Sequence, residues 1–313
     1  MSLKSIRDAL AVSSAETNAA SVLPSSVREL YPFVPHTFTL PGGTRMSYLD
    51  EGPREAPVVL MVHGNPSWSF LYRSLVLALR DRFRCIVPDH LGCGLSDKPQ
   101  DFDYHLGAHI GNLGALVDHL GISRAHLAVH DWGGPIGLGM ARRRPGFVDR
   151  LIVFNTSAFP STHIPKRIAV CRLPWLGAVL VRGLNGFSGA AVRMAVARPL
   201  AAGAREAYLW PHRSWADRVA VREFVRDIPL GPGHRTQAEL ESIAASLTDL
   251  RERETPTLIV WGGRDWCFDD VFLEEFKRRL PEAKVVRLAD AGHWLLEDEP
   301  ATVAREVSAF LGR

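Results

Sequence analysis

Leu127-Ala128-Val129-His130-Asp131-Trp132-Gly133-Gly134 is the stretch that decides how this chain folds. It continues an apolar run from Ala125 that reads as a buried strand, and from Gly134 to Arg144 the composition turns helical, so the backbone must bend sharply at Asp131. A strand that enters a helix through such a turn holds one side chain clear of the sheet, where it can act as a nucleophile. Here that side chain is a carboxylate, and the positive end of the following helix favours its ionised form. Val129, two residues earlier, is larger than the small residue usual at that point of the turn.

Outward from the turn, the same rhythm repeats. Pro57 to Val62 is continuously apolar and ends at His63-Gly64-Asn65-Pro66, as expected of a central parallel strand running into a functional loop. A helix is predicted over Ser69 to Arg80, a strand over Phe83 to Val87, a turn through Pro88-Asp89-His90-Leu91-Gly92-Cys93-Gly94, and a helix from about Ile110 to Leu120 stopped by Gly121. The turn Leu40-Pro41-Gly42-Gly43 before a strand over Thr44 to Leu49 suggests a hairpin. Further strands are predicted over Leu151 to Phe154, Pro256 to Trp261 and Lys284 to Leu288, with a closing helix over Pro300 to Leu311. This alternation predicts an α/β fold with a mostly parallel central sheet flanked by helices. Residues 160–238 break it: they read as helical, rich in Pro, Arg and Trp, and are expected to form a helical cap inserted between core segments 29–159 and 239–313. Residues 1–28 lack the apolar run of a secretory signal and are expected to be a flexible tail.

Composition bounds the function. At 313 residues, 46% hydrophobic, the chain can bury a sizeable core. Its 37 basic and 34 acidic residues leave a net charge of +3, and the basic residues are scattered, which argues against a nucleic-acid partner. Cys85, Cys93, Cys171 and Cys267 lie far apart with no Cys-x-x-Cys pair, so neither a zinc site nor a disulfide framework is expected, and a cytoplasmic location is. No metal or cofactor is called for. Gly92-x-Gly94 is a tight turn and not a nucleotide site. No run of about 18 uncharged apolar residues is present, so no transmembrane segment is expected.

Two residues complete a nucleophile, acid, base order along the chain: Asp265 in Trp261-Gly262-Gly263-Arg264-Asp265 and His293 in Asp290-Ala291-Gly292-His293-Trp294, each after a predicted strand. Loops at one edge of a sheet are where a His base and its orienting Asp must meet a nucleophile. His90 and His130 read as packing or locally hydrogen-bonded. Trp68, Phe159, Trp210, Trp215 and Phe268 are candidates for a pocket wall or for core. With His63-Gly64-Asn65-Pro66-Ser67-Trp68-Ser69, Pro88 to Ser96 and His130-Asp131-Trp132-Gly133, the chain from about Leu30 onward resembles the haloalkane dehalogenase family of α/β-hydrolases, and its third subgroup in particular. The resemblance implies the α/β-hydrolase fold with its cap, and that the side-chain N–H groups of Asn65 and Trp132 stabilise a departing anion. Ser47 to Pro53, Asn155 to Pro160 and Asp227 to Leu230 are similar to the β-lactone decarboxylases of bacterial olefin biosynthesis. That resemblance implies a hydrophobic small-molecule substrate and leaves room for association with other olefin-pathway enzymes.

These residues suit two reactions. A carboxylate attacking an sp³ carbon needs a leaving group that departs as an anion, and Asn65 and Trp132 can serve halide or carboxylate alike. With a haloalkane, the alkyl ester of Asp131 is hydrolysed by water that His293 deprotonates while Asp265 holds the imidazole. With a cis-3-alkyl-4-alkyl β-lactone, opening the ring frees a carboxylate that can leave as carbon dioxide, expelling Asp131 and forming a cis-alkene. An epoxide hydrolase would usually offer two cap tyrosines, and the cap holds only Tyr208. A fluoroacetate dehalogenase would carry an Arg where Trp132 stands, Asp131 excludes a serine esterase, and a non-catalytic binding protein would have lost one of the three residues.

Overall fold

The computed structural model describes residues 23–231 and 233–312, so most of the expected tail, residues 1–22, lies outside the described residues. The rest of that segment is ordered: Ser25–Leu30 form a helix (α1) whose Val27 is fully buried. One sheet follows, built from His36–Thr39 (β1), Arg45–Glu51 (β2), Val58–Val62 (β3), Arg84–Pro88 (β4), Ala125–Asp131 (β5), Val148–Thr156 (β6), Thr257–Gly262 (β7) and Lys284–Leu288 (β8). Its spatial order is β1-β2-β4-β3-β5-β6-β7-β8. β2 pairs antiparallel with β1 and β4, and the remaining neighbours are parallel. β3 is apolar at every position because both its faces are covered: Leu60 and Val62 join one core cluster, and Val59 and Met61 join another.

The helices between strands are Arg73–Leu79 (α2), Leu106–His119 (α3) and Gly133–Arg142 (α4). The helix predicted from Ser69 begins as a 3-10 turn over Ser69–Tyr72. α3 starts four residues ahead of its predicted first residue, Ile110, because the Asp227 carboxylate, 121 residues away in sequence, accepts the Leu106 N–H at 2.8 Å. An anion there satisfies an end-of-helix donor, and no local residue announces it.

From β6 to β7 the chain is helical among the described residues: Lys166–Cys171 (α5), Pro174–Ala178 (α6), a π-turn over Val179–Gly183, Gly186–Met194 (α7), Ala202–Leu209 (α8), Val219–Arg226 (α9) and Gln237–Glu252 (α10). α10 straddles the expected boundary at 238/239, and its Leu240, Ile243 and Leu247 enter the core. Asp270–Arg279 (α11), which the sequence reading did not anticipate, follows β7. Leu295–Asp298 (α12) and Pro300–Leu311 (α13) close the chain. No described helix is long and apolar enough to cross a membrane.

Candidate active site

Asp131 ends β5 with φ +52°, a left-handed conformation that costs a non-glycine residue energy and that only the surrounding packing can hold. Three glycines permit it. A Cβ on Gly64 would sit 2.0 Å from Asp131 Oδ1, and one on Gly133 would sit 1.9 Å from the Val62 carbonyl oxygen. The bulk of Val129 is accommodated from the helix side: a Cβ on Gly137 would lie 2.9 Å from its Cγ1. The space usually spared on the strand is spared on α4 instead.

The carboxylate is buried and well held. Asn65 N–H donates to Asp131 Oδ1 at 2.6 Å, and the Trp132 backbone N–H also stabilises the anion. Thr156 Oγ1 donates to the Asp131 carbonyl in a short contact. Burial raises the Asp131 pKa above its ordinary value, while His293 and the two N–H groups oppose that shift.

His293 lies between β8 and α12. Its Nδ1 donates to Asp265 Oδ2 at 2.7 Å, and its Nε2 faces Asp131 Oδ2 at 3.6 Å. Burial, the largest single influence, pulls the imidazole pKa down. The charge and hydrogen bond of Asp265, with the charge of Asp131, outweigh it and leave the pKa raised. Asp265 itself is fixed by Cys267 N–H at 2.7 Å and by Asn155 Nδ2 at 2.9 Å. Asn155 Oδ1 in turn accepts the Gly262 N–H at 2.7 Å, tying β6 to the end of β7. Asn155 carried a resemblance in the sequence, but its task of orienting Asp265 is visible only across the two strands. His130 Nε2 donates to the His293 carbonyl at 2.9 Å, and burial holds its pKa well down, so it braces the loop as a neutral ring.

Asn65 and Trp132 both reach the cavity. Asn65 Nδ2 makes a long 3.3 Å bond to the Val221 carbonyl, and the Trp132 indole N–H has no partner among the described residues. A buried network supports the Asn65 loop: His90 N–H donates to His63 Nε2 at 3.2 Å, His63 Nδ1 donates to the Gly64 carbonyl at 2.8 Å, and Asp89 accepts from Ser69 and Leu95.

Asp131, His293, Asn65 and Trp132 border one cavity of about 280 Å³, whose other walls are mainly apolar, including Phe159, Ile168, Phe187, Met194, Phe268 and Phe272. Of the aromatic candidates, Phe159 and Phe268 line it. Trp68 is core, donating to the Ala207 carbonyl at 3.1 Å, Trp215 is half-exposed, and Trp210 does not border the cavity. Tyr208 is also core. It donates to Glu297 at 2.6 Å and stacks on Trp294, so it offers no proton to the cavity. A buried carboxylate facing an apolar space, with N–H donors on one side and an imidazole on the other, can displace an anionic group from carbon and stabilise it as it leaves.

The sequence signature of the alpha/beta hydrolase fold matches residues 57–300. A cis-3-alkyl-4-alkyloxetan-2-one decarboxylase of Shewanella oneidensis is 48% identical over 289 residues, covering 90% of this chain and 89% of that protein. Haloalkane dehalogenase 2 of Mycobacterium tuberculosis is 32% identical, covering 91% and 97%. Among solved structures, the haloalkane dehalogenase DbeA from Bradyrhizobium elkani superposes with a TM-score of 0.83 at 28% identity, covering 90% of this chain and 98% of that one.

Proposed function

Because this chain belongs to the alpha/beta hydrolase fold family, on the branch that holds the β-lactone decarboxylases and haloalkane dehalogenases, we propose that it decarboxylates cis-3-alkyl-4-alkyl β-lactones to cis-alkenes. The observation that carries the reading is Asp131 itself, a held carboxylate at the wall of an apolar cavity. Between the two chemistries open to it, identity of 48% to a lactone decarboxylase against 32% to a dehalogenase favours the first.

In this proposal Asp131 attacks the alkyl-bearing ring carbon that carries the ring oxygen. The carbon–oxygen bond breaks, and its electron pair leaves on oxygen as part of a free carboxylate, which Asn65 and Trp132 stabilise. The carbon–carboxylate bond then breaks. Its electrons form the alkene, carbon dioxide departs, and Asp131 leaves as the carboxylate it began as. One inversion at the attacked carbon followed by an anti elimination preserves the cis relation. No water is consumed, and His293, drawn toward its cationic form by Asp265 and Asp131, balances the returning charge on Asp131. The helical segment 160–238 acts as the cap, residues 29–159 and 239–313 as the core, and the free cysteines fit a cytoplasmic enzyme.

Hydrolytic dehalogenation remains the second reading. Its supporting observation is the His293 Nε2 to Asp131 Oδ2 separation of 3.6 Å, which suits an imidazole activating water beside an ester. Alkylation would remove the Asp131 charge and with it one of the influences that raise the imidazole pKa, freeing the base when it is needed.

The test is turnover in ¹⁸O-labelled water. A long-chain cis-β-lactone is expected to give cis-alkene with no ¹⁸O-labelled hydroxy acid, with Asp131→Asn abolishing the reaction. His293→Gln exposed to a bromoalkane is expected to accumulate the alkyl ester, seen by intact mass. Labelled hydroxy acid without alkene, together with bromoalkane turnover at about 1 s⁻¹ or more, would reverse the order of the two readings.

A further inference from the structure

The first half of the helical insertion carries an apolar surface that its own fold leaves uncovered. Val170 of α5, Leu173, Trp175 and Leu176 at α6, Val179 in the π-turn and Leu184 just beyond it are all solvent-exposed, Trp175 at 87% and Leu184 at 71%. Scattered single exposed hydrophobes are ordinary, but six within fifteen residues across α5, α6 and the π-turn mark a surface built for contact.

The charge around it identifies the contact. Residues 160–205 contain seven basic residues and no acidic one, against +3 for the whole chain, so the remainder of the molecule is net negative. Among the described residues, Lys166, Arg167, Arg172, Arg182 and Arg193 have no carboxylate within salt-bridge distance. Arg182 instead donates to Gln100 Oε1 at 2.6 Å and to the Trp215 carbonyl at 3.0 Å, with its guanidinium 4.8 Å from the ring of half-exposed Trp215. Exposed Trp and Leu beside unpaired Lys and Arg is the composition of a helix that lies in the headgroup region of a bilayer: aromatic and aliphatic side chains enter the acyl boundary, and the cations meet anionic phosphates. A protein partner of ordinary interface composition would require carboxylates to match these five cations, none of which has one of its own among the described residues, and a second copy of this chain would set the same positive surface against itself.

We infer that residues 166–184 dock this protein onto an anionic lipid surface. The inference is independent of the proposed reaction, since it concerns where the molecule sits and not what Asp131 does. The place is suited to a substrate with alkyl chains. α5 carries exposed Val170 on one side and cavity-lining Ile168 on another, so a chain leaving the acyl layer at α5 would be one helix width from the apolar cavity.

The experiment is co-sedimentation of the full chain with vesicles of phosphatidylcholine alone and of phosphatidylcholine mixed with phosphatidylglycerol. Binding is expected to the mixed vesicles and to weaken as salt is raised. Trp175→Ser with Leu176→Ser is expected to lower affinity about tenfold or more, and Lys166→Glu with Arg193→Glu about fivefold or more per position. Both pairs are expected to keep the wild-type unfolding temperature, because all four side chains are exposed. Three results would each overturn the inference: no binding to either vesicle, equal binding of the Trp175→Ser, Leu176→Ser protein, or a wild-type oligomer that those two substitutions convert to monomer.

Discussion

At the scale of single residues, the candidate site holds the Asp131 carboxylate and brings two further N–H donors to the same cavity. Asp131 is bonded through backbone N–H groups, which leaves the side chains of Asn65 and Trp132 directed to the cavity they border. Removing one preorganised donor to a developing anion in such a space costs about 10²–10³ in rate. Trp132→Phe and Asn65→Ala are each expected to lower kcat by that order on the lactone while the far-ultraviolet circular dichroism stays unchanged. Near-wild-type turnover in both variants would reduce these residues to packing. Asn155 belongs to a different class, because it acts on Asp265 and through it on His293.

At the scale of elements, the turn between β5 and α4 is a fit between backbone and missing side chains, and the three glycines differ in what a methyl group would strike. On Gly133 it meets the backbone of β3, which cannot move without unpairing a central strand. On Gly137 it meets the Val129 side chain, which can be shortened. Overpacking a core costs about 1–3 kcal/mol, and replacing glycine by alanine in a helix returns up to about 1 kcal/mol. Gly137→Ala is therefore expected to lower stability modestly, and adding Val129→Ala is expected to recover at least half of the loss in urea unfolding. Gly133→Ala is expected to be more damaging and to gain nothing from Val129→Ala. Additive effects of Gly137→Ala and Val129→Ala would show that the two do not share the space.

At the scale of the whole molecule, buried titratable groups set the response to acid. Burial pushes His90 and His212 down to about 4 and holds His63, His109 and His130 well below the ordinary imidazole value. All five are neutral in the folded chain but take up protons when unfolded below about pH 6.5, so each removes stability as pH falls, by about 1.4 kcal/mol per unit while it titrates only in the unfolded state. Asp89, pushed up to about 6 by burial, acts in the opposite direction between the ordinary carboxylate value and 6, and Asp131 and His293, whose pKa values are also raised, oppose the loss too. The five buried imidazoles, joined by His126, which burial also lowers, outnumber these three groups and decide the sign. The urea midpoint is expected to fall steadily from pH 7 to pH 5, and a midpoint that rises on acidification would mean that the carboxyls dominate.

What the sequence by itself determined was whatever is written in local pattern. Short, mostly apolar runs marked β3 to β7, because a strand covered on both faces leaves few positions for polar side chains. The catalytic candidates Asp131, Asp265 and His293 were legible because each lies at the end of a predicted strand or on the loop after one, and the helical character of residues 160–238 because no buried-strand run occurs there. Relations between distant residues, by contrast, exist only in the folded chain. The first turn of α3 exists because Asp227 reaches Leu106, and Val129 is tolerated because Gly137 lies opposite. Asn155 orients Asp265 because β6 and β7 are neighbours, and Trp68, Trp215 and Tyr208 stay off the cavity wall because their partners or exposure lie elsewhere. Periodicity records which side of an element is apolar. Which partner meets that side is settled by packing, where the closeness of two atoms depends on the path of the whole chain between them.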